Sequence, residues 1–136
     1  MRVRVVDELQ RGREAYANQA WLDAYDALSR ADAESPLEAA DVELFATSAA
    51  LVGERDAHHS LLERLHKLRL DAGETELAAK AAVLLGMNLA IAGEVGPAMG
   101  WFGRAERLVE QVEGDSVVPG YLLLPIAFLR VSSGDA

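Results

Sequence analysis

The stretch from Leu84 to Ala105, LLGMNLAIAGEVGPAMGWFGRA, reads as two helices meeting at a tight turn. Leu85, Gly86 and Leu89 share one face of the first helix, and Ala98, Phe102 and Ala105 share one face of the second. Gly93 is placed to close the first helix, because glycine takes the left-handed C-terminal position without a side-chain clash. Pro97 then falls in the opening turn of the second, where its missing N–H leaves no partner wanting. Gly86 and Ala98 are small where two antiparallel helices would cross closest, and Phe102 is large enough to fill the space between them.

These offsets, L-G-x-x-L…G-x-x-x-x-A-x-x-x-F-x-x-A, resemble the tetratricopeptide pattern, and the rest of the chain is read against it. Val3 to Asn18 reads as a first helix, with Val6, Leu9, Gly12 and Tyr16 on one stripe, and Trp21 to Ala33 as its partner. Trp21, Ala24, Leu28, Ala31 and Pro36 fall where the pattern places an aromatic, Ala, a large residue, Ala and Pro. Gly12 and Gly86 occupy the same slot 74 residues apart, or two periods of 37. The usual unit has about 34 residues, so extra residues are expected in the turns between units.

Ser35-Pro36-Leu37-Glu38 reads as a capping box with proline at the first helical position, so a helix is expected from there to Gly53. Leu37, Val42, Phe45, Ala46 and Ala49 are its candidates for burial. Its partner, Glu54 to Leu70, would carry Ala57, Leu61, Leu65 and Leu68 inward. This middle unit is the most degenerate, with Arg64 in a slot that favours alanine. Asp71 to Glu74 reads as a turn and Glu76 to Ala92 as a helix, followed by the Phe102 helix to about Val112. Val117 to Val131 reads as one more helix, which Pro125 should kink or whose regular hydrogen bonding it should end. The expectation is an all-α, tetratricopeptide-like right-handed superhelix of about seven helices. It forms a single helical-repeat domain, with units at about 3–35, 36–72 and 74–113 and a half unit at 117–131. Half a repeat cannot cover its own apolar face, so the sequence reads as an N-terminal piece of a longer chain or as one covered by another chain, with a natural helical end-cap as the plainer alternative.

Composition narrows the function. A net charge of −9 lacks the basic stripe that phosphate binding requires, so no direct nucleic-acid contact is expected from this segment. The chain has no cysteine, which excludes disulfides and thiolate chemistry. The longest mainly apolar run, Ala81 to Gly93, is too short to span a bilayer, and Met1 to Leu9 lacks a signal-peptide core. A cytoplasmic protein without a membrane partner is expected.

A narrower resemblance rests on three phrases: AWLDAYDALSRADAESPL (Ala20 to Leu37), GWFGRAERL (Gly100 to Leu108) and GYLLLP (Gly120 to Pro125). They are similar to phrases in the helical-repeat region of actinobacterial LuxR-type transcriptional regulators. That resemblance implies a sensor or interaction region ahead of a C-terminal helix-turn-helix, and no such DNA-binding motif occurs in this sequence.

Chemistry-bearing residues are few. His58, His59 and His66 all fall in the helix from Glu54 to Leu70, and His59, Glu63 and His66 share one helical face. Glu63-x-x-His66 has the spacing of carboxylate-bridged di-iron bundles, but the second such pair is missing. The face reads as solvated, opposite Leu61, Leu65 and Leu68, with a lone divalent-metal site as the alternative. Gly96, Gly100 and Gly103 read as a place of close helix approach. The acidic clusters Asp23/Asp26 and Glu110/Glu113/Asp115 read as solvated surface. Neither a phosphate loop nor a nucleophile elbow is present. No enzyme activity, catalytic residue, cofactor or resident metal is expected.

In stacked hairpins the first helix of each unit lines the concave side. That places Arg13 and Tyr16, then Glu43, Thr47 and Leu51, then Val83, Met87 and Ile91, and finally Tyr121, Leu124 and Phe128 along a largely apolar groove. Such a lining suits an amphipathic partner helix or peptide, or a small apolar effector; further repeats of a longer chain could also fill it. The expected function is a protein-interaction or regulatory module of a LuxR-type regulator, with effector sensing as the alternative. The segment Tyr121 to Leu129 is apolar on all sides, so self-association as a two-fold dimer through Leu122 and Leu129 is also expected.

Overall fold

The computed structural model describes residues 2–112, with side chains from Asp7 onward. Within the described residues the chain is all-helical: α1 (Arg2–Ala17), α2 (Trp21–Glu34), α3 (Ala39–Leu51), α4 (Arg55–Asp71), α5 (Thr75–Ile91) and α6 (Val95–Val112). The expected seventh helix at 117–131 lies outside them, and with it Tyr121, Leu122, Leu124, Pro125, Phe128 and Leu129. Contacts divide the chain into two units, Met1–Leu61 and Leu62–Ala136, so the boundary falls inside α4.

One local device ends α1, α3, α4 and α5. After α5, the Gly93 N–H donates to the Ala90 carbonyl (3.0 Å) and the Glu94 N–H to the Leu89 carbonyl (2.8 Å). Gly93 has φ +86°, the left-handed conformation this closure demands. Gly53 and Gly73 close α3 and α4 in the same way, but after α1 the residue is Gln19, at φ 62°. Glutamine carries a Cβ into that region and so bears a cost that the three glycines avoid.

These turns measure the repeat. Gln19 to Gly53 is 34 residues and Gly53 to Gly93 is 40, so the apparent period of 37 averages one standard unit and one long one. The extra residues were expected in the inter-unit turn, and they lie in the helices. α2 and α3 have 14 and 13 residues, whereas α4 and α5 have 17 each, and the turn between α4 and α5 is short.

The α2–α3 link also corrects an expectation. Ser35 does not cap α3. It is the C-cap of α2, in extended backbone at φ −156°, ψ 130°, as the residue before a proline prefers. The Leu37 N–H is taken by the Asp32 carboxylate at 3.0 Å, which holds the link extended. The helix consequently starts at Ala39, with Glu38 as an N-cap that makes no side-chain bond. Leu37 is buried as anticipated.

Both units rest on the same interlock. In the first, a Cβ on Gly12 would lie 2.8 Å from the Leu28 side chain. In the second, a Cβ on Gly86 would lie 2.6 Å from the Phe102 ring. Each glycine therefore lets a large residue of the partner helix sit against bare backbone. The second unit also holds a core cluster of Ala78, Ala79, Ala82, Val83, Ala105, Leu108 and Val109 between α5 and α6. In the first unit a bidentate ion pair joins α1 to α3: Arg13 Nε donates to Asp41 Oδ1 at 2.9 Å and Nη2 to Oδ2 at 2.8 Å.

Candidate functional site

On a helix that packs by one face against its partner, the outward arc normally carries charge. α6 follows this rule, exposing Arg104, Arg107, Glu110 and Gln111 beyond its first turns, and α1 exposes Asp7, Gln10, Arg11, Arg13 and Glu14. α5 does not. Its exposed residues are Leu77 (39%), Leu84 (38%), Met87 (44%) and Ile91 (84%). At ~100° per residue these four fall within an arc of about 80°, and at ~1.5 Å per residue they extend over about 21 Å. The opposite arc, Ala78, Ala79, Ala81, Ala82, Val83, Leu85 and Gly86, is buried, which fixes the apolar stripe facing out.

The expected groove residues divide accordingly. Met87 and Ile91 stand on the stripe, joined by Leu77 and Leu84, which the groove assignment missed. The spacing of Leu77, Leu84 and Ile91 by sevens was the signal that could have found them. Val83 is 3% exposed and belongs to the core against α6, so it lines no surface. In the first unit Leu51 is exposed, while Glu43 and Thr47 are half-buried. Tyr16 is half-buried, edge-on to Trp21 with ring centres 5.3 Å apart. Arg13 is committed to Asp41, whose carboxylate hydrogen bonds raise the guanidinium pKa. Tyr121, Leu124 and Phe128 lie outside the described residues.

Of the histidine face expected to be solvated, Glu63 is exposed and His59 half-buried, but His66 is not on the surface. On α4 the buried residues are Leu61, Leu62, Leu65 and His66, an arc rotated from the expected Ala57, Leu61, Leu65 and Leu68. His66 is 3% exposed, and its Nδ1 lies 2.8 Å from the Ala78 carbonyl on α5. The ring meets Trp101 of α6 edge-to-face at 5.3 Å, and the Arg104 guanidinium lies 4.7 Å over that indole. Burial lowers the His66 pKa, the hydrogen bond to Ala78 opposes the shift, and Arg104 adds to it. His58 makes a similar contact within the first unit, with Nδ1 2.9 Å from the Ala46 carbonyl. Among the described residues no three acidic or histidine side chains gather as a metal site. No described helix is long and apolar enough to cross a membrane.

No protein-family model matches the chain, and no curated protein matches it. Among solved structures, the N-terminal domain of stress-induced protein-1 (STI-1) from C. elegans superimposes with a TM-score of 0.69 at 16% identity. The match covers 93% of this chain and 94% of that one. The likeness is one of fold. Among its described residues the chain has an all-α, tetratricopeptide-like helical-repeat fold.

Proposed function

We propose that the chain is a protein-interaction module that receives the apolar stripe of a partner helix along the exposed face of α5. The observation that carries the reading is that the exposed residues of α5 are leucine, methionine and isoleucine, on a helix whose other arc is locked in the core. A row about 21 Å long suits i, i+3, i+4, i+7 anchors from an amphipathic helix, and methionine adapts its shape to different partners. Covering a large apolar side chain contributes about 1.5–3 kcal/mol. Leu77, Leu84 and Met87 are already partly covered, so each contributes less than full burial would, and Ile91 contributes most.

The setting proposed for this module is a cytoplasmic LuxR-type bacterial transcription regulator. Support comes from the phrases at Ala20 to Leu37, Gly100 to Leu108 and Gly120 to Pro125. The module would read a protein partner while a separate part of the regulator contacts DNA.

Selection from a displayed library of amphipathic helical peptides tests the docking face. Recovered peptides are expected to bind the variant Leu84→Glu/Ile91→Glu at least about tenfold more weakly, because each glutamate must be desolvated against an apolar partner. Both sites are exposed, so the variant's helix content should match the parent's. Peptides that bind parent and variant equally would place recognition elsewhere. A midpoint raised only by small apolar compounds would indicate an effector-sensing domain instead.

A further inference from the structure

His66 has no part in the proposed docking face, and its surroundings suit only one of its charge states. The Nδ1–H donates to the Ala78 carbonyl, which leaves Nε2 as the bare nitrogen of a neutral imidazole. Nε2 is buried and makes no hydrogen bond. Trp101 closes one side of the ring through an edge-to-face contact. The charge that acts on the ring is unfavourable to a proton. On its own helix, Glu63 and Arg69 stand one turn away, and Arg69 is paired with Glu74 at 3.2 Å. On α5, Glu76 and Lys80 flank Ala78 in sequence. From α6 the acting charge is the Arg104 guanidinium, which opposes a second positive charge nearby.

We propose that His66 is an acid-operated latch holding the C-terminal half of α4 to the α5–α6 hairpin. Uptake of a proton at Nε2 creates a buried N–H⁺ with no hydrogen-bond acceptor, in the field of the Arg104 guanidinium. Burying an unpaired charge is among the costliest changes a packed interior can undergo. The cost vanishes when the ring swings out to water, which requires the Nδ1–H bond to Ala78 and the Trp101 contact to break. The direction follows from linkage: the folded state holds its proton less tightly than the unfolded chain. Stability is therefore full above about pH 6.5, the ordinary histidine value, and falls as the pH drops below it. The decline ends once the pH has passed below the lowered value of the folded state.

The test measures urea unfolding of the whole chain at pH 7.5, 6.5 and 5.5, above the range where carboxylates titrate. The parent is compared with His66→Asn, whose amide N–H can still reach the Ala78 carbonyl but cannot take a proton. His59→Asn controls for the loss of a histidine from the same helix. The parent and His59→Asn should show an unfolding constant that rises severalfold, up to about tenfold, between pH 7.5 and 5.5 relative to His66→Asn. Equal pH dependence in all three overturns the latch. Should His66→Asn fail to fold, an NMR titration of the parent decides: the His66 ring should carry its proton on Nδ1 and titrate below 6.5. A ring that titrates at 6.5 or above overturns the proposal. Amide exchange adds the location. Once corrected for the intrinsic exchange rate, which itself falls with pH, protection should drop in acid from Leu62 to Asp71 more than in α1 to α3, and a uniform drop would contradict a local latch.

Discussion

Phe102→Ala is expected to lower the unfolding free energy by about 3–5 kcal/mol, the range for truncating a buried aromatic. Phe102 is 4% exposed and rests on the bare backbone of Gly86. The cost of such a truncation depends on how far the surroundings can fill the void. Here they have little to offer: Gly86 has no side chain, and Ala98 and Ala105, the buried neighbours along α6, end at Cβ. The upper part of the range is therefore expected. Urea titration with an unchanged m-value would assign the loss to the folded state. A loss below about 1 kcal/mol would mean that Phe102 does not hold α5 to α6.

The equivalent change in the first unit, Leu28→Ala, should cost about 2–5 kcal/mol. Leu28 is fully buried, and Gly12 faces it with no side chain that could move into the cavity. The tie between Arg13 and Asp41 further limits how closely α1, α2 and α3 can settle around a smaller residue. Urea titration of this variant gives the comparison with Phe102→Ala. Similar losses are the expected signature of one interlock used twice. A large loss for Phe102→Ala beside a negligible one for Leu28→Ala would show that the first hairpin only imitates the second.

Much of this arrangement is legible in the sequence because it is local. The pairs Gly12/Leu28 and Gly86/Phe102 sit at fixed offsets across a tight turn, and Gly53, Gly73 and Gly93 mark conformations that few other residues take readily. Three features escaped for physical reasons. Ser35-Pro36-Leu37-Glu38 has the form of a capping box, but the Asp32 carboxylate competes for the Leu37 N–H, and only geometry shows which bond forms. His66 looks like a surface residue, yet its ring becomes a buried hydrogen-bond donor because the inward arc of α4 is turned towards Leu62 and His66. α5 carries leucine, alanine or valine on nearly every side, so its periodicity could not say which arc faces the core. That ambiguity put Val83 in the groove and left out Leu77 and Leu84.

The outward arc of α5 is also where the functional reading stands or falls, and the absence of cysteine makes it directly measurable. Single cysteines can be placed at Leu84, Met87 and Ile91 on the stripe and at Ala79 and Ala82 on the buried arc, then challenged with a thiol-reactive probe under native conditions. The account predicts rapid labelling at the first three and strong protection at the last two, where reaction must wait for the α5–α6 hairpin to open. Protection at Leu84, Met87 and Ile91 equal to that at Ala79 and Ala82 would show the stripe to be covered already, and a docking face for a partner helix would be ruled out.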